Sequence, residues 1–220
     1  VGRNNPSARF RLLCDNLDGT NAFLLGLVTS TVIVALYDKL LKRVVACFIG
    51  EPVTGRYWVA HGSFKTVRHG GVRGVEPVPV QVWNGPLSRK ASTIFLDVSH
   101  GFKRGDRHIL TNDQVTALFG RLNFQTKILL PGSNGLMHAL EANGGEGLAG
   151  GITTAMGGPW DAAGGLLVKQ AGGFLRAFRT REDCLLDERD PLDVMSYDML
   201  VFGNEQAVET LSRELLLVCG

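Results

Sequence analysis

The first third of the chain predicts a sheet of short antiparallel strands. Apolar and β-branched residues dominate Thr29–Tyr37, and a turn at Asp38 and Lys39 separates this run from a second one, Arg43–Ile49. Apolar runs bounded by turn residues are typical of buried strands. A third strand is expected at Arg56–Ala60, and connections this short favour an antiparallel meander.

The rest of the chain alternates between strands and helices. Thr111 is placed to cap one helix and Gly172 to stop another. A Gly-, Val- and Pro-rich stretch before them, Phe64–Trp83, reads as an irregular edge strand or a loop. The predicted helices are Asn112–Leu122, Ser133–Glu141, Trp160–Gln170 and Asn204–Val218, and the predicted strands are Thr93–Val98, Lys127–Leu130, Ile152–Met156, Phe174–Phe178 and Asp198–Phe202.

These patterns predict an α+β fold in two parts. Residues 1–110 form the strand-rich half, and residues 111–220 form an α/β half. A net charge of +2 and the lack of any Lys/Arg run argue against a nucleic-acid partner. The longest apolar stretch, Ala22–Tyr37, is interrupted by Gly, Thr and Ser, so no membrane span is expected. Four widely spaced cysteines favour reduced thiols and a cytoplasmic protein over disulfides or a zinc site.

A short acidic stretch near the start of the chain carries the first candidate chemistry. Asp15 and Asp18 stand three residues apart and are followed directly by Gly19 and Thr20. Two carboxylates and the Leu17 carbonyl between them are the oxygen ligands that hard divalent cations prefer. A glycine allows a sharp turn that brings backbone N–H groups close to an anion. An ordinary Asx turn with a helix cap fits the same residues equally well.

A second stretch opens the predicted helix at Trp160. Asp161 falls in the first turn of that helix, where the helix dipole favours a carboxylate that can also reach a cation. The small residues Ala163, Gly164 and Gly165 allow a ligand or another helix to approach closely. Taken alone, Asp161 also fits a structural acid at a helix start.

Together the two stretches resemble the signature motifs of the inositol monophosphatase family. The family pattern D-P-[IL]-D-G-T is matched by Asp15–Thr20, with Asn16 in place of Pro, and W-D-x-A-[AG]-G is matched from Trp160 onward. The segments KILLPGSN at 127–134 and LLVKQAGG at 166–173 also resemble family segments, in the same order. The resemblance covers nearly the whole chain.

The resemblance implies a layered αβαβα sandwich and a Mg²⁺-dependent phosphomonoesterase, commonly a homodimer, that acts on a small phosphorylated metabolite. Two or three Mg²⁺ ions beside the phosphate would activate water and neutralise the leaving oxygen. By position, the implied metal ligands are Asp15, the Leu17 carbonyl, Asp18 and Asp161. The implied phosphate-binding groups are the N–H groups of Gly19 and Thr20, and the Thr20 hydroxyl would orient the attacking water. Substrate-ring contacts would come from Ser99, Ser133 and Asn134.

The resemblance leaves the substrate and catalytic competence open. Val1–Cys14 contains no Asp or Glu, although the family carries an acidic pair upstream of this motif. We therefore expect either that preceding residues supply these ligands or that the chain binds a phosphorylated ligand without turnover. Thr154 stands where inositol-specific members carry a ring-binding Glu. A 3′-phosphoadenosine 5′-phosphate phosphatase, suggested by Arg104 and Arg107 in a basic loop, and a fructose bisphosphatase are the alternatives; the latter family usually has Ser at the position of Thr20.

Overall fold

Two six-stranded sheets and six helices make up the described part of the fold. The structure is a computed structural model, and it describes residues 5–70, 76–97, 109–154, 157–179, 185–187 and 190–219. None of the helices described in these ranges has the length and apolar character needed to cross a lipid bilayer.

The first sheet is an antiparallel meander in which each strand pairs with its neighbours in the sequence. This confirms the meander that the hydrophobic pattern predicts. The strand β1, Phe10–Asp18, was not predicted, because the apolar residues Phe10–Leu13 lead directly into Asp15–Thr20, which has the composition of a turn. The strands are β1 (Phe10–Asp18), β2 (Thr31–Asp38), β3 (Arg43–Gly50), β4 (Tyr57–His61), β5 (Val67–His69) and β6 (Val78–Pro79).

The second sheet mixes parallel and antiparallel pairs in the order β11-β10-β12-β9-β7-β8. Only β7 makes parallel pairs among the described strands, one with β8 and one with β9. β9 begins four residues before the predicted strand. Its first half, Leu148–Gly151, was not predicted because Ala and Gly have low strand propensity. The strands are β7 (Thr93–Leu96), β8 (Lys127–Leu129), β9 (Leu148–Thr154), β10 (Phe174–Arg179), β11 (Leu185–Asp187) and β12 (Met199–Gly203).

The helices follow their capping signals. Thr111 accepts the N–H of Gln114 in a capping box, and Asn204 accepts the N–H of Ala207. The predicted helix Trp160–Gln170 is two helices, since the N–H of Leu167 bonds to the carbonyl of Gly164 three residues earlier. The helices are α1 (Thr20–Leu24), α2 (Asn112–Asn123), α3 (Asn134–Ala142), α4 (Trp160–Ala163), α5 (Gly165–Gln170) and α6 (Glu205–Cys219).

The elements stack in layers, which confirms the predicted layered α+β architecture. Helices α3, α4 and α5 lie between the two sheets, while α2 and α6 cover the other face of the second sheet. One core, which includes Ile33, Trp58 and Phe202, fills the space between the sheets. A second core, which includes Leu118 and Leu211, lies under α2 and α6. The middle helical layer therefore touches both sheets.

That middle layer contains a buried acid with no partner. Glu141 of α3 is fully buried, and both carboxyl oxygens lie without a hydrogen-bond partner among the described residues. Burial in an apolar environment disfavours the charged form, and it raises the pKa of Glu141 well above its ordinary value. The protonated acid is the form that this site favours.

Glu141→Gln is expected to stabilise the protein increasingly as pH rises above 4.5, the ordinary pKa of the acid. In that range the unfolded chain releases the Glu141 proton while the folded chain keeps it, so wild-type stability falls by about 1.4 kcal/mol per pH unit until the folded pKa is reached. Gln keeps the shape and cannot ionise. Urea unfolding at several pH values measures the difference between the two proteins.

The matched control is Glu146→Gln at an exposed position of the loop after α3. Its stability difference from wild type should stay nearly constant with pH. A pH-independent difference for Glu141→Gln as well would contradict the raised pKa.

Candidate metal centre

A β-bulge places the two acids of the first motif on one face of the first sheet. β1 pairs Asp15 with Ile33 and Asp18 with Thr31, so one extra residue is inserted in β1 between the two acids. In a regular strand, residues three apart point to opposite faces. The extra residue restores the alternation, and both acids share the inner face with the buried Ile33 and Thr31. The acids therefore stand on a bulged strand, and the predicted Asx turn lies within it, since Oδ1 of Asp15 accepts the N–H of Leu17.

Asp18 is buried and held by four hydrogen bonds. Its Oδ2 accepts the hydroxyl of Ser133 at 2.6 Å, the N–H of Gly135 at 2.7 Å and the hydroxyl of Thr31 at 2.9 Å. The N–H of Asn134 donates to Oδ1 at 3.3 Å. Burial raises the pKa of Asp18, and these hydrogen bonds oppose that rise. The carboxylate is fixed in position by two different parts of the chain.

The residues after Asp18 turn sharply into α1. Gly19 has φ of +81°, and a Cβ there would lie 2.9 Å from the Gly132 carbonyl oxygen, so both backbone angle and space require glycine. The Thr20 hydroxyl donates to the Leu17 carbonyl at 2.8 Å. The N–H of Leu17 donates to Oδ1 of Asp15 at 2.9 Å. These local bonds fix the direction of the Leu17 carbonyl and of the Thr20 side chain.

Asp161 approaches the same point from the middle helical layer. It lies in the first turn of α4, and its Oδ2 accepts the N–H groups of Gly157 at 2.7 Å and Gly158 at 3.1 Å. Burial, with a smaller contribution from the negative charges of Asp18 and Asp15, raises the pKa of Asp161 to about 7. The backbone donors do not compensate fully for the lost hydration and the neighbouring charges.

The three acids form one cluster. A carboxylate oxygen from each of Asp15, Asp18 and Asp161 lies within 4.8 Å of the others. The cluster lines an open cavity of about 250 Å³, together with Leu17, Gly19, Thr20 and Asn134. The donors are all oxygen and their charges repel, so the site fits a hard divalent cation such as Mg²⁺.

Of the three residues predicted to contact substrate, the structure describes two, and these differ in their position relative to the cavity. Asn134 lines the cavity, and its side-chain amide donates to the Thr154 carbonyl at 3.2 Å. Ser133 is 1% exposed, and its hydroxyl binds Asp18 while accepting the N–H of Leu136 at the start of α3. Ser99 lies outside the described residues. Substrate contact by these three residues stays a prediction.

Two residues of the site were missed by the sequence analysis. Asp97 lines the cavity and follows β7, but the predicted strand Thr93–Val98 included it. Asp97 could have been predicted from its position at the carboxyl end of a parallel strand, where α/β sheets place ligand-binding groups. Thr31 binds Asp18, but in the sequence it is one more β-branched residue of a strand. Only the pairing of β1 with β2 reveals its role.

Comparison with known proteins supports the architecture. No family model matches the chain, and no curated protein matches it in sequence. The solved structure of an inositol monophosphatase from Anabaena (Nostoc) is 20% identical, with a TM-score of 0.72, and the match covers 97% of this chain and 74% of that one. The chain has the inositol monophosphatase fold.

Two further structures with this fold match almost the whole chain. SuhB from Mycobacterium tuberculosis is 15% identical with a TM-score of 0.71, over 98% of this chain and 75% of that one. The extragenic suppressor protein suhB from Bartonella henselae is 22% identical with a TM-score of 0.69, over 96% and 71%. The fold that the two motifs predict is therefore confirmed.

Asp161→Asn is expected to stabilise the metal-free protein, because it removes one of three clustered charges while the amide oxygen can still accept from Gly157 and Gly158. If Mg²⁺ binds preferentially to the folded wild type and so raises its melting temperature, the same change should abolish that rise. Thermal unfolding in EDTA and in Mg²⁺ measures both effects. The exposed Asp113→Asn serves as the control and should keep the Mg²⁺ response. A full Mg²⁺ response in Asp161→Asn would rule out Asp161 as a ligand.

Proposed function

We propose that the protein is a Mg²⁺-dependent phosphomonoesterase of the inositol monophosphatase family that hydrolyses a small sugar or inositol phosphate. The observation that carries the proposal is the cluster of Asp15, Asp18 and Asp161, whose oxygens lie within 4.8 Å beside Thr20 in an open cavity. A homodimer in the cytoplasm is part of the proposal. The dimer rests on the sequence resemblance, and the location rests on the widely spaced cysteines.

In this proposal the three carboxylates and the Leu17 carbonyl hold the ions. When bound there, Mg²⁺ would supply charge neutralisation at the phosphoryl oxygens and activation of water. Asp18 contributes a carboxylate that needs no rearrangement, since its four hydrogen bonds already fix it. Asp161 contributes one whose Oδ2 is held by two backbone N–H groups. The open cavity leaves room for a phosphate beside them.

Thr20 is proposed to orient the attacking water. Its hydroxyl proton is committed to the Leu17 carbonyl, so the hydroxyl oxygen can only accept a hydrogen bond from a water in the cavity. A water that donates one proton to Thr20 has a lone pair free to face the phosphorus. The N–H groups of Gly19 and Thr20 are proposed to bind the phosphate oxygens, with Ser99, Ser133 and Asn134 near the rest of the substrate.

The decisive experiment measures inorganic phosphate release from inositol 1-phosphate, fructose 1,6-bisphosphate and 3′-phosphoadenosine 5′-phosphate, in Mg²⁺ and again in EDTA. Release is expected with inositol 1-phosphate and only in Mg²⁺, whereas release from fructose 1,6-bisphosphate alone would assign the fructose bisphosphatase alternative. Asp161→Asn should remove it, because losing a ligand costs several kcal/mol of charge stabilisation, whereas Asp113→Asn should retain it.

Three other outcomes of this experiment would indicate a different function or mechanism. Release from the nucleotide that is lost when Arg104 and Arg107 are neutralised would assign the nucleotide phosphatase instead. Calorimetric binding of Mg²⁺ and phosphate with no turnover on any substrate would assign a non-catalytic binding protein. Release that continues in EDTA would contradict the metal-dependent mechanism.

Thr20→Val should lower kcat by roughly a hundredfold or more, because the nearly isosteric side chain cannot accept a hydrogen bond from water. Thr20→Ser keeps the hydroxyl and should stay close to wild type. Mg²⁺ affinity measured by calorimetry should stay near wild type in Thr20→Ser and fall in Thr20→Val, which also loses the hydrogen bond to the Leu17 carbonyl, so kcat is compared at saturating Mg²⁺. Equal kcat values for Thr20→Val and Thr20→Ser would exclude the role in orienting water.

A further inference from the structure

Helix α3 of the middle layer is in contact with two acids of the metal cluster, directly with Asp18 and through α4 with Asp161. The start of α3 holds Asp18 through the Ser133 hydroxyl and the N–H groups of Asn134 and Gly135. α3 also packs against α4, which carries Asp161. The distance between the Asp18 and Asp161 carboxylates therefore depends on how α4 packs against α3.

The space that a side chain at Gly164 would need is occupied by His138 of α3. His138 is fully buried, and it follows Asn134 by one helical turn on the same face of α3. Gly164 directly follows α4, three residues after Asp161. A Cβ on Gly164 would lie 2.5 Å from Nδ1 of His138 and 2.8 Å from its Cβ and Cγ. The imidazole ring thus lies directly against the bare backbone of Gly164.

Space alone requires the glycine. Gly164 has φ of −61° and ψ of −14°, a helical conformation that any residue adopts. The ring of His138 cannot retreat easily, because its other neighbours include the Phe202 ring, with centroids 4.5 Å apart. Both ring nitrogens lie without a hydrogen-bond partner among the described residues, so here the side chain acts through its volume.

The geometry points to His138 as a positioning residue that seats α4 on α3 through Gly164 and thereby sets the Asp161 carboxylate relative to Asp18. It touches neither the cluster nor the cavity, and it acts through one turn of helix. The inference rests on the proposed metal site for its effect on cation binding, but the placement of Asp161 can be measured without metal.

A double-mutant cycle tests this inference. Gly164→Ala puts a methyl group against the ring and should weaken Mg²⁺ binding roughly tenfold, as is usual when the support of a metal ligand is disturbed. His138→Ala removes the ring, so the pair His138→Ala with Gly164→Ala should recover most of that loss. His138→Leu, which keeps the volume without the nitrogens, should bind Mg²⁺ like wild type.

Three measurements are made on each variant: Mg²⁺ affinity by calorimetry, thermal unfolding in EDTA, and a crystal structure of the metal-free protein. The control is Gly120→Ala at an exposed position of α2, where an added Cβ would have no neighbour within 4 Å. It should leave affinity unchanged. Asp161 is expected to move relative to Asp18 in Gly164→Ala and to return in the double variant.

Each outcome decides the inference. A purely structural role for His138 predicts a lower melting temperature with unchanged Mg²⁺ affinity and unchanged Asp161, and that result would overturn it. If Gly164→Ala fails to fold, the double variant should fold, and failure of both would also overturn it. If Asp161 moves as expected but wild type binds no Mg²⁺, the positioning role stands and the proposed function fails.

Discussion

The hydrogen bonds to the buried Asp18 carboxylate are the constraint on which the rest of the site depends. Asp18 ends β1, while three of its four donors come from residues 133–135 and the fourth from β2. A desolvated carboxylate costs several kcal/mol unless donors replace its water. Any sliding of the first sheet against α3 would break three of these four hydrogen bonds. The register between the first sheet and the middle helical layer is therefore set at the metal centre.

The same arrangement makes the metal-free site unfavourable. Burial and mutual repulsion raise the pKa of Asp161, although two N–H groups donate to it. Such a cluster persists only where the surrounding structure over-determines it. Here the bulge in β1, the start of α3 and the seat of α4 each fix one part. The rigidity that keeps the acids together also means that a cation meets ligands already in place.

Local signals made most of the fold predictable from the sequence. Thr111 and Asn204 cap their helices as predicted, and the β-branched run that forms β2 ends within a residue of its predicted position. β1 was missed because Asp15–Thr20 has the composition of a turn, and only pairing with β2 makes it a bulged strand. The early start of β9 was missed for a similar reason, since its glycines carry no local strand preference.

The residues of the candidate site that belong to sequence motifs were predictable. Those whose role depends on contacts between distant parts of the chain were not. Asp15, Asp18 and Asp161 were identified from motifs, and the structure brings them together. Asp97 and Thr31 carried no motif. Their places in the site follow from the parallel pairing of β7 and from the β1–β2 register, which are long-range contacts that no local pattern encodes.

The middle helical layer shows why packing and function are hard to separate in this protein. α3 carries the unpartnered Glu141 near its end, yet the bonds at its start hold Asp18 and cap the helix through one serine. Changes in the core around α3 would alter its stability and, through Asp18 and α4, the geometry of the carboxylates. The affinity for a cation is therefore a property of the packed layers as well as of the three acids.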